Sequence, residues 1–586
     1  MNINLEGIKY IRNHGFKNQR DFAKAIGVSL GTANSILKSY KEDDLLDTKN
    51  RITDKGNQAL KKYKVRRAVI LAAGHGLRMM PICRDIPKAF LEINGEILIE
   101  RIINQLHEVG ITEIYVVVGY MKESFEYLMD KYSVELIVNK DFYEKNNLHS
   151  LYLASDKLNN CYIIPSDVYF KLNPFSDIEL YSWYMLSDKL SENSHMKVNK
   201  KREISLTNIS EAGNREVGLA YIDSETTKKL ISGILSLKNT DGYSTAFWET
   251  AAFEKTKCML YSKTVSTDDY YEINTYEDLL RADADSKSLD SEYIKIICDT
   301  LNVSRHDIFN IESLKAGMTN KSFLFNCKGE KYIFRIPGEG TEQLINRQDE
   351  YNVYQQIKDK NICDDIIYIN PTNGYKITRF IENSHNCDPY NPNEVKRCME
   401  VLRGFHSMKL KVNHTFDIFE HIDYYENLMG GISVYPDYEK TKANVMSLIE
   451  FLNAQDLEYS MTHIDAVPDN FVISEEGIKL IDWEYAAMQD PHVDIAMFAI
   501  YAMYDKSHID MLIDTYFDNT CDKNIRVKIY CYIAMCGLLW SNWCEYKAAL
   551  GETFGEYSLR QYRYAKDYYK YANEMMNELS ESERFE

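Results

Sequence analysis

Hydrophobic and polar positions follow three different patterns along the chain. In residues 1–64 the apolar positions recur at helical spacing in short runs. Phe22, Ala23 and Ile26 mark a helix from Gln19 to Ile26 that Gly27 stops, and Ser29 can cap a second helix, LGTANSILKSY. Helix, glycine-containing turn and helix form a helix-turn-helix pattern. The following LLDTKNRITDKG predicts two short strands around a polar turn. From Val65 the apolar residues come in blocks: RRAVILAAG, IYVVVG (114–119), VELIV (134–138) and CYIIPSD (161–167), separated by helical stretches such as 97–109 and 122–131. Strand and helix alternating at this spacing predict an α/β domain with a mostly parallel, doubly wound sheet. The polar, acidic RADADSKSLDSE (281–292) reads as a linker. Beyond it, SFLFNC and KYIFRI look like antiparallel strands and lead into a largely helical part with paired short strands around Asp482.

Composition narrows the picture. A chain of 586 residues is too long for one core, and the changes of pattern divide it into 1–64, 65–287 and 288–586. With 45% hydrophobic and 27% charged residues it is globular rather than disordered. A net charge of −19 argues against nucleic acid as the partner of the whole chain, yet residues 1–64 hold thirteen Lys and Arg against seven Asp and Glu. The twelve cysteines include no CxxC pair, and MNINLEGIKY has no signal pattern, which predicts reduced thiols and a cytoplasmic protein. The most apolar stretch, IYCYIAMCGLLW (529–540), is too short to span a bilayer and predicts a buried helix, so no membrane partner is expected.

VILAAGHGLRMMPICRDIPKAF carries the first candidate chemistry. It runs strand, glycine loop, basic residue, then Pro-Lys. Ala73, Gly74 and Gly76 let backbone N–H groups approach phosphate oxygens. Met79 stands where a dinucleotide fingerprint needs its third glycine, and no Gly-Lys-Ser/Thr of a Walker loop follows. The arrangement LAAGxGxR…PK, with NKDFYEKNNLHSLYLA (139–154) and YEINTYEDL (271–279), resembles bacterial cytidylyltransferases of the LicC type, which make CDP-choline. That resemblance, over about 66–283, implies that Arg78 and Lys88 neutralise charge as phosphocholine attacks CTP, and that Asp167 holds Mg²⁺. It also implies a choline site at Trp248 and Glu249, with Tyr221 a further candidate. The alternative for Trp248 is a core aromatic. Two departures stand out: Leu77 replaces a small hydroxyl residue, and Asn274 replaces a second metal-binding Asp.

THIDAVPDNFVI (462–473) carries the second. Asp465 and Asn470 have the offset between base and metal ligand in kinases, and a short hairpin ending in IKLIDWEYAA adds Asp482. Asp465 is assigned as base or orienting group, Asn470 and Asp482 as Mg²⁺ ligands, His463 as a positioning residue, and Glu484 as support for a second metal. A small β-rich lobe before a helical lobe is the order of protein-kinase-like folds. Gly317 to Asn320 suits a turn over phosphates, with Thr319 and Asn320 as nucleotide contacts. Arg335 on the strand KYIFRI stands where most kinases carry Lys, with Glu350 as its ion-pair partner. AGMTN, RIPG, INRQDEYNVY, HIDAVPDNF and IDWEYAA together resemble bacterial choline kinases of the LicA type, within the aminoglycoside phosphotransferase/choline kinase fold. Trp540 and Trp543, three residues apart on one helix face, can bracket a trimethylammonium group or simply pack the helix.

Residues 1–64 resemble bacterial winged-helix DNA-binding domains. That implies Thr32, Asn34, Ser35 and Lys38 at the DNA groove, with Arg51 and Lys55 of the wing on phosphates; the alternative is a small helical module for dimerisation or docking. Together these resemblances imply a bifunctional enzyme that takes choline, ATP and CTP through phosphocholine to CDP-choline with Mg²⁺. Ethanolamine or another amino alcohol is the alternative substrate. A transcription regulator with ligand-sensing domains is the alternative function.

Overall fold

The four apolar blocks become the strands Arg67–Ala72, Glu113–Val118, Glu135–Val138 and Cys161–Pro165. The computed structural model describes residues 3–199, 201–206, 211–314, 320–338, 341, 344–551 and 553–583. It forms two compact units, Met1–Ser313 and Leu314–Glu586.

In the first unit seven strands lie in the order 261–265, 183–191, 213–222, 161–165, 67–72, 113–118, 135–138. The pairings among the four predicted strands are parallel, whereas Gly213–Ile222 runs antiparallel to both its neighbours. The sheet is buried on both faces, which explains continuous rather than alternating apolar runs. Ala68 and Ile70 pack with Ile99, Ile102, Ile103 and Leu106 of the helix Leu98–Glu108 on one side. Val69, Val117 and Ile163 pack with Leu148 and Leu151 on the other. Because Arg67–Ala72 and Cys161–Pro165 are parallel, the glycine loop and Asp167 emerge at the same edge, where open α/β sheets place ligands. The stretch 281–292, read as a linker, is tied down: Ser286 donates to the Glu92 carbonyl and Leu289 is buried. This unit also carries the helix Glu292–Leu301 and the strand Ile308–Ser313.

The N-terminal helices Ile3–His14, Gln19–Ala25 and Leu30–Glu42 enclose their own core of Ile8, Ile11, Phe22, Ile36, Leu37 and Tyr40. Ser29 caps the third helix by accepting from the Thr32 N–H, as expected. The expected wing reduces to one bridge, Leu46 to Ile52. The Asp47 carboxylate takes up the Lys49 and Arg51 N–H groups, and Thr53 caps a helix, Asp54–Lys61, that carries Lys55. Local side-chain acceptors have outcompeted a strand ladder. The helices dock on residues 177–179 through Lys9–Glu179 at 2.8 Å and Arg12–Asp177 at 2.7 Å, with Ile178 inserted into their core.

In the second unit the strands Asn320–Cys327, Glu330–Pro337, Lys376–Arg379 and Ile366–Ile369 are neighbours in that order. The helix Arg347–Ile357 presents a buried Glu350. The hairpin Phe471–Ser474/Gly477–Leu480 precedes Asp482. Residues 529–540 are buried within the helix Lys523–Ala549, and Gly537 lets the helix Glu556–Glu583 approach so closely that a Cβ would lie 2.8 Å from the Gln561 carbonyl oxygen. Among the described residues no helix is long and apolar enough to cross a membrane.

Candidate active sites

The glycine loop opens on a cavity of about 650 Å³. Gly76 has φ +66°, a left-handed conformation that favours glycine, and a Cβ there would lie in ordinary van der Waals range of Cys83 and of Lys88 in the Pro-Lys segment. Lys88 Nζ lies 2.6 Å from Asp167 Oδ2 and 2.8 Å from Asn274 Oδ1. Arg78 reaches the same Asn274 oxygen at 3.2 Å. Four residues from three distant segments thus meet, the same residues to which the resemblance to cytidylyltransferases drew attention. Ala73, Gly74, Trp248 and Glu249 line the same cavity.

Trp248 is buried beside Tyr184, and its backbone N–H donates to Asn147 Oδ1, so the NNLHS stretch fixes the segment that carries it. The Glu249 carboxylate accepts from Tyr184 at 3.0 Å. Burial pushes its pKa up to about 8, with Glu216 a lesser cause. Tyr221 does not line the cavity. Ala220 and Ile222 share the sheet face of Trp248, whereas Tyr221 points to the other face and packs on Tyr162 and Trp183. The two-residue period of a strand makes it a core residue. Sequence reasoning missed a ring cluster beside the glycine loop, His75 with Tyr120 at 4.1 Å and Tyr143 at 5.0 Å, of which His75 and Tyr143 line the cavity. Their proximity to two recognised motifs was the available signal. The Leu77 side chain lies outside the described residues.

A second cavity, of about 680 Å³, collects Asp465, Asn470, Asp482, Arg335, Trp540 and Trp543. Asn470 Nδ2 donates to the backbone oxygen of Asp465 at 2.8 Å and to its Oδ2 at 3.1 Å. Ile464 and Asp482 have φ of +69° and +64°, a left-handed conformation that non-glycine residues keep only where their surroundings enforce it. For Ile464 the enforcing group is the buried Asp494, which accepts the N–H groups of His463 and Ile464 and also contacts His406. The His463 ring lies 4.5 Å from Trp483, tilted by 58°, its Nε2 reaches the Ile481 carbonyl, and burial pulls its pKa down to about 4, so a neutral ring is held against the loop. Burial, then the charges of Asp482 and Glu484, push the Asp465 carboxyl well above its usual range.

Arg335 meets Glu350 at 2.6 Å, the ion pair expected from the sequence. Two residues not anticipated there extend it. Arg347 contacts Glu350 at 2.9 Å and Glu484 at 3.0 Å, and Glu484 also lies 3.5 Å from Arg335. Glu484, read as support for a metal, is therefore engaged by two guanidinium groups. Burial disfavours the charged form of Glu350, but Arg335, Lys376 and Arg347 outweigh it and hold its pKa low. Thr319 lies outside the described residues, as does the side chain of Asn320.

Trp540 and Trp543 both face this cavity, ring centroids 5.5 Å apart. Tyr485 stands edge-on to Trp540 at 5.8 Å, and Tyr501 and Tyr557 complete the wall. These three tyrosines and Lys376 were not read from the sequence. Tyr485 follows Asp482 within IDWEYAA, whereas Tyr557 belongs to the tyrosine-rich C-terminal helix, outside every motif.

Fold and sites define a nucleotidyltransferase-type α/β unit and a kinase-type unit. Family models agree: "MobA-like NTP transferase domain" matches residues 68–173, and "Choline/ethanolamine kinase" matches 311–533. The choline-phosphate cytidylyltransferase of Streptococcus pneumoniae is 32% identical over 218 residues, covering 36% of this chain and 94% of that protein. Protein LicA of Haemophilus influenzae is 27% identical over 261 residues, 42% of this chain and 76% of that one. The solved choline kinase LicA from Streptococcus pneumoniae is 30% identical with a TM-score of 0.43, covering 48% of this chain and 99% of that chain. The chain belongs to the choline-phosphate cytidylyltransferase family, and it is a fusion of a LicC-like domain with a C-terminal domain like that of LicA and the choline kinases.

Proposed function

We propose that the second unit transfers the γ-phosphoryl group of ATP to choline, and that the first unit joins CMP from CTP to the resulting phosphocholine, releasing pyrophosphate and giving CDP-choline. The observation that carries this reading is one cavity pairing Asp465, Asn470 and Asp482 with a wall of Trp540, Trp543, Tyr485, Tyr501 and Tyr557. Asp465 orients the choline hydroxyl and takes its proton as the oxygen bonds to the γ-phosphorus and the β–γ bridging oxygen leaves with ADP. The aromatic wall presents ring faces to a quaternary ammonium, each contributing about 0.5–2 kcal/mol. A primary ammonium would draw on the cavity's carboxylates, Asp364, Asp465, Asp469 and Asp482, more than on its rings, which makes ethanolamine the comparison to run.

In the first unit Arg78 and Lys88 neutralise the α-phosphate while Ala73, Gly74 and Gly76 cradle the triphosphate, and Trp248 with Glu249 receives the trimethylammonium group. Mg²⁺ is assigned to Asp482 and Asn470 in one unit and to Asp167 and Asn274 in the other, all hard oxygen donors. Asn470 spends its Nδ2 on Asp465, leaving Oδ1 for a cation, and the Lys88 ammonium between Asp167 and Asn274 supports positive charge at that point. The metal would neutralise phosphate charge. Both reactions are placed in the cytoplasm, where ATP and CTP are made, in keeping with twelve free cysteines.

For residues 1–64 we propose contact with DNA through Thr32, Asn34, Ser35 and Lys38, all exposed on the helix Leu30–Glu42. A gel shift at physiological salt tests it; weak, sequence-independent, salt-sensitive retardation would count against a specific site.

³¹P NMR of the protein with Mg²⁺, choline, ATP and CTP, beside the same mixture with ethanolamine, tests the two reactions. Phosphocholine followed by a CDP diester is the expected result. Product from ethanolamine alone would overturn the choline assignment, and no product with either would return the protein to a sensing role.

A further inference from the structure

The cavity of the second unit has a charge imbalance. Asp364, Asp465, Asp469 and Asp482 line it against two cations, Arg335 and Lys376. Such a lining suits a metal ion and an ammonium group but repels a polyphosphate. Arg335, the cation that the sequence offers to the nucleotide, is already committed. It lies 2.6 Å from Glu350, 3.4 Å from Asp482 and 3.5 Å from Glu484, and it donates to the Gly374 carbonyl.

Lys376 is placed differently. It stands directly across from Arg335 in the antiparallel pair of Glu330–Pro337 with Lys376–Arg379, and it is only 5% exposed. Its Nζ donates to the Tyr354 hydroxyl at 2.6 Å and sits 4.5 Å from the centroid of that ring. Among the described residues no carboxylate lies within 4.0 Å of it; Glu350 senses its charge but is ion-paired to Arg335 and Arg347. Burying an ammonium against a neutral phenol is costly unless an anion completes its shell.

We propose that Lys376 contacts the phosphate chain of the nucleotide in this cavity, while Arg335 holds Glu350 and Asp482 in place. The proposal rests on the kinase reading. Tyr354, from the helix Arg347–Ile357, keeps the ammonium on the cavity wall until the phosphates replace the phenol as its partner.

Calorimetric titration of the full chain with ATP and with adenosine, comparing the natural protein with Lys376→Met, Lys376→Arg and Tyr354→Phe, is the test. Lys376→Met is expected to weaken ATP by about 10–100-fold and leave adenosine unchanged. Lys376→Arg should recover most of the ATP affinity. Tyr354→Phe, which keeps the ring and frees the ammonium, should bind ATP at least as well as the natural protein. Equal losses for ATP and adenosine, or undiminished ATP binding in Lys376→Met, would overturn the role of Lys376. If Lys376→Met does not fold, the other two variants decide: loss of ATP preference in Tyr354→Phe, or none retained in Lys376→Arg, overturns it. A natural protein that binds ATP no better than adenosine, or phosphorylates no choline, defeats the kinase reading itself and the proposal with it.

Discussion

The two cavities treat charge in opposite ways. At the glycine loop the cations lie at the cavity surface: Arg78 and Lys88 share the neutral Asn274, and only Asp167 among their contacts is a carboxylate. In the second unit the main guanidinium is buried behind Glu350, Glu484 and Asp482, and the catalytic-loop carboxylate Asp465 faces the cavity. The first arrangement is set to receive a triphosphate directly. On the proposed reading the second receives an ammonium and a metal among its carboxylates, and the triphosphate enters beside them and Lys376. A chain running two nucleotide reactions in succession has thus built two unlike phosphate sites, each shaped by what else must enter.

Removing one key charge on each side should break the comparison most sharply. Asp465→Asn is expected to cut choline phosphorylation by about 10²–10⁴-fold while leaving CDP-choline formation from supplied phosphocholine intact. The same variant should melt higher than the natural protein near about pH 8. The folded-state pKa of Asp465 is raised, so the fold loses stability as pH climbs above the ordinary carboxylate range, and the amide removes that penalty. Below about pH 4 the difference should vanish. Lys88→Met is expected to do the converse, lowering cytidylyl transfer by about 10²–10³-fold with phosphorylation unchanged; equal losses in both assays would mean that the sites are not separable.

Smaller effects sharpen it. Trp540→Leu should raise the KM for choline by about tenfold with little change in kcat, read by steady-state kinetics. Glu249→Gln tests the head-group site of the first unit. A cation binds the ionised carboxylate better, so phosphocholine affinity should rise with pH up to about 8 in the natural protein and stay flat in the variant. Least in activity but visible in melting, Glu179→Ala removes the partner of Lys9 and of the Tyr162 hydroxyl and should lower the melting temperature of the first unit alone.

Residues whose chemistry demands a short, fixed offset were legible beforehand. The glycine loop with Arg78 and Lys88, and the run from Asp465 to Asn470 with Asp482 after a hairpin, announce themselves because phosphate handling tolerates little variation in spacing. Trp540 and Trp543 were legible because helical period alone puts them on one face. Tyr221 was misplaced because one step along a strand turns a side chain to the opposite side of the sheet. The wing was over-read because Asp47 and Thr53 satisfy the backbone locally, which no hydrophobic pattern reports.

What the sequence by itself determined is therefore the identity of the two chemistries, the order of their units, and the residues that each motif carries. Only the tertiary structure decided that Arg347 and Glu484 join the ion pair of Arg335 and Glu350, that Tyr485, Tyr501 and Tyr557 wall one cavity with two tryptophans, and that Lys376 is left facing it beside a phenol. These groups come from segments far apart in the chain, and their charges and rings acquire a role only once burial removes water and brings them within a few ångströms of one another.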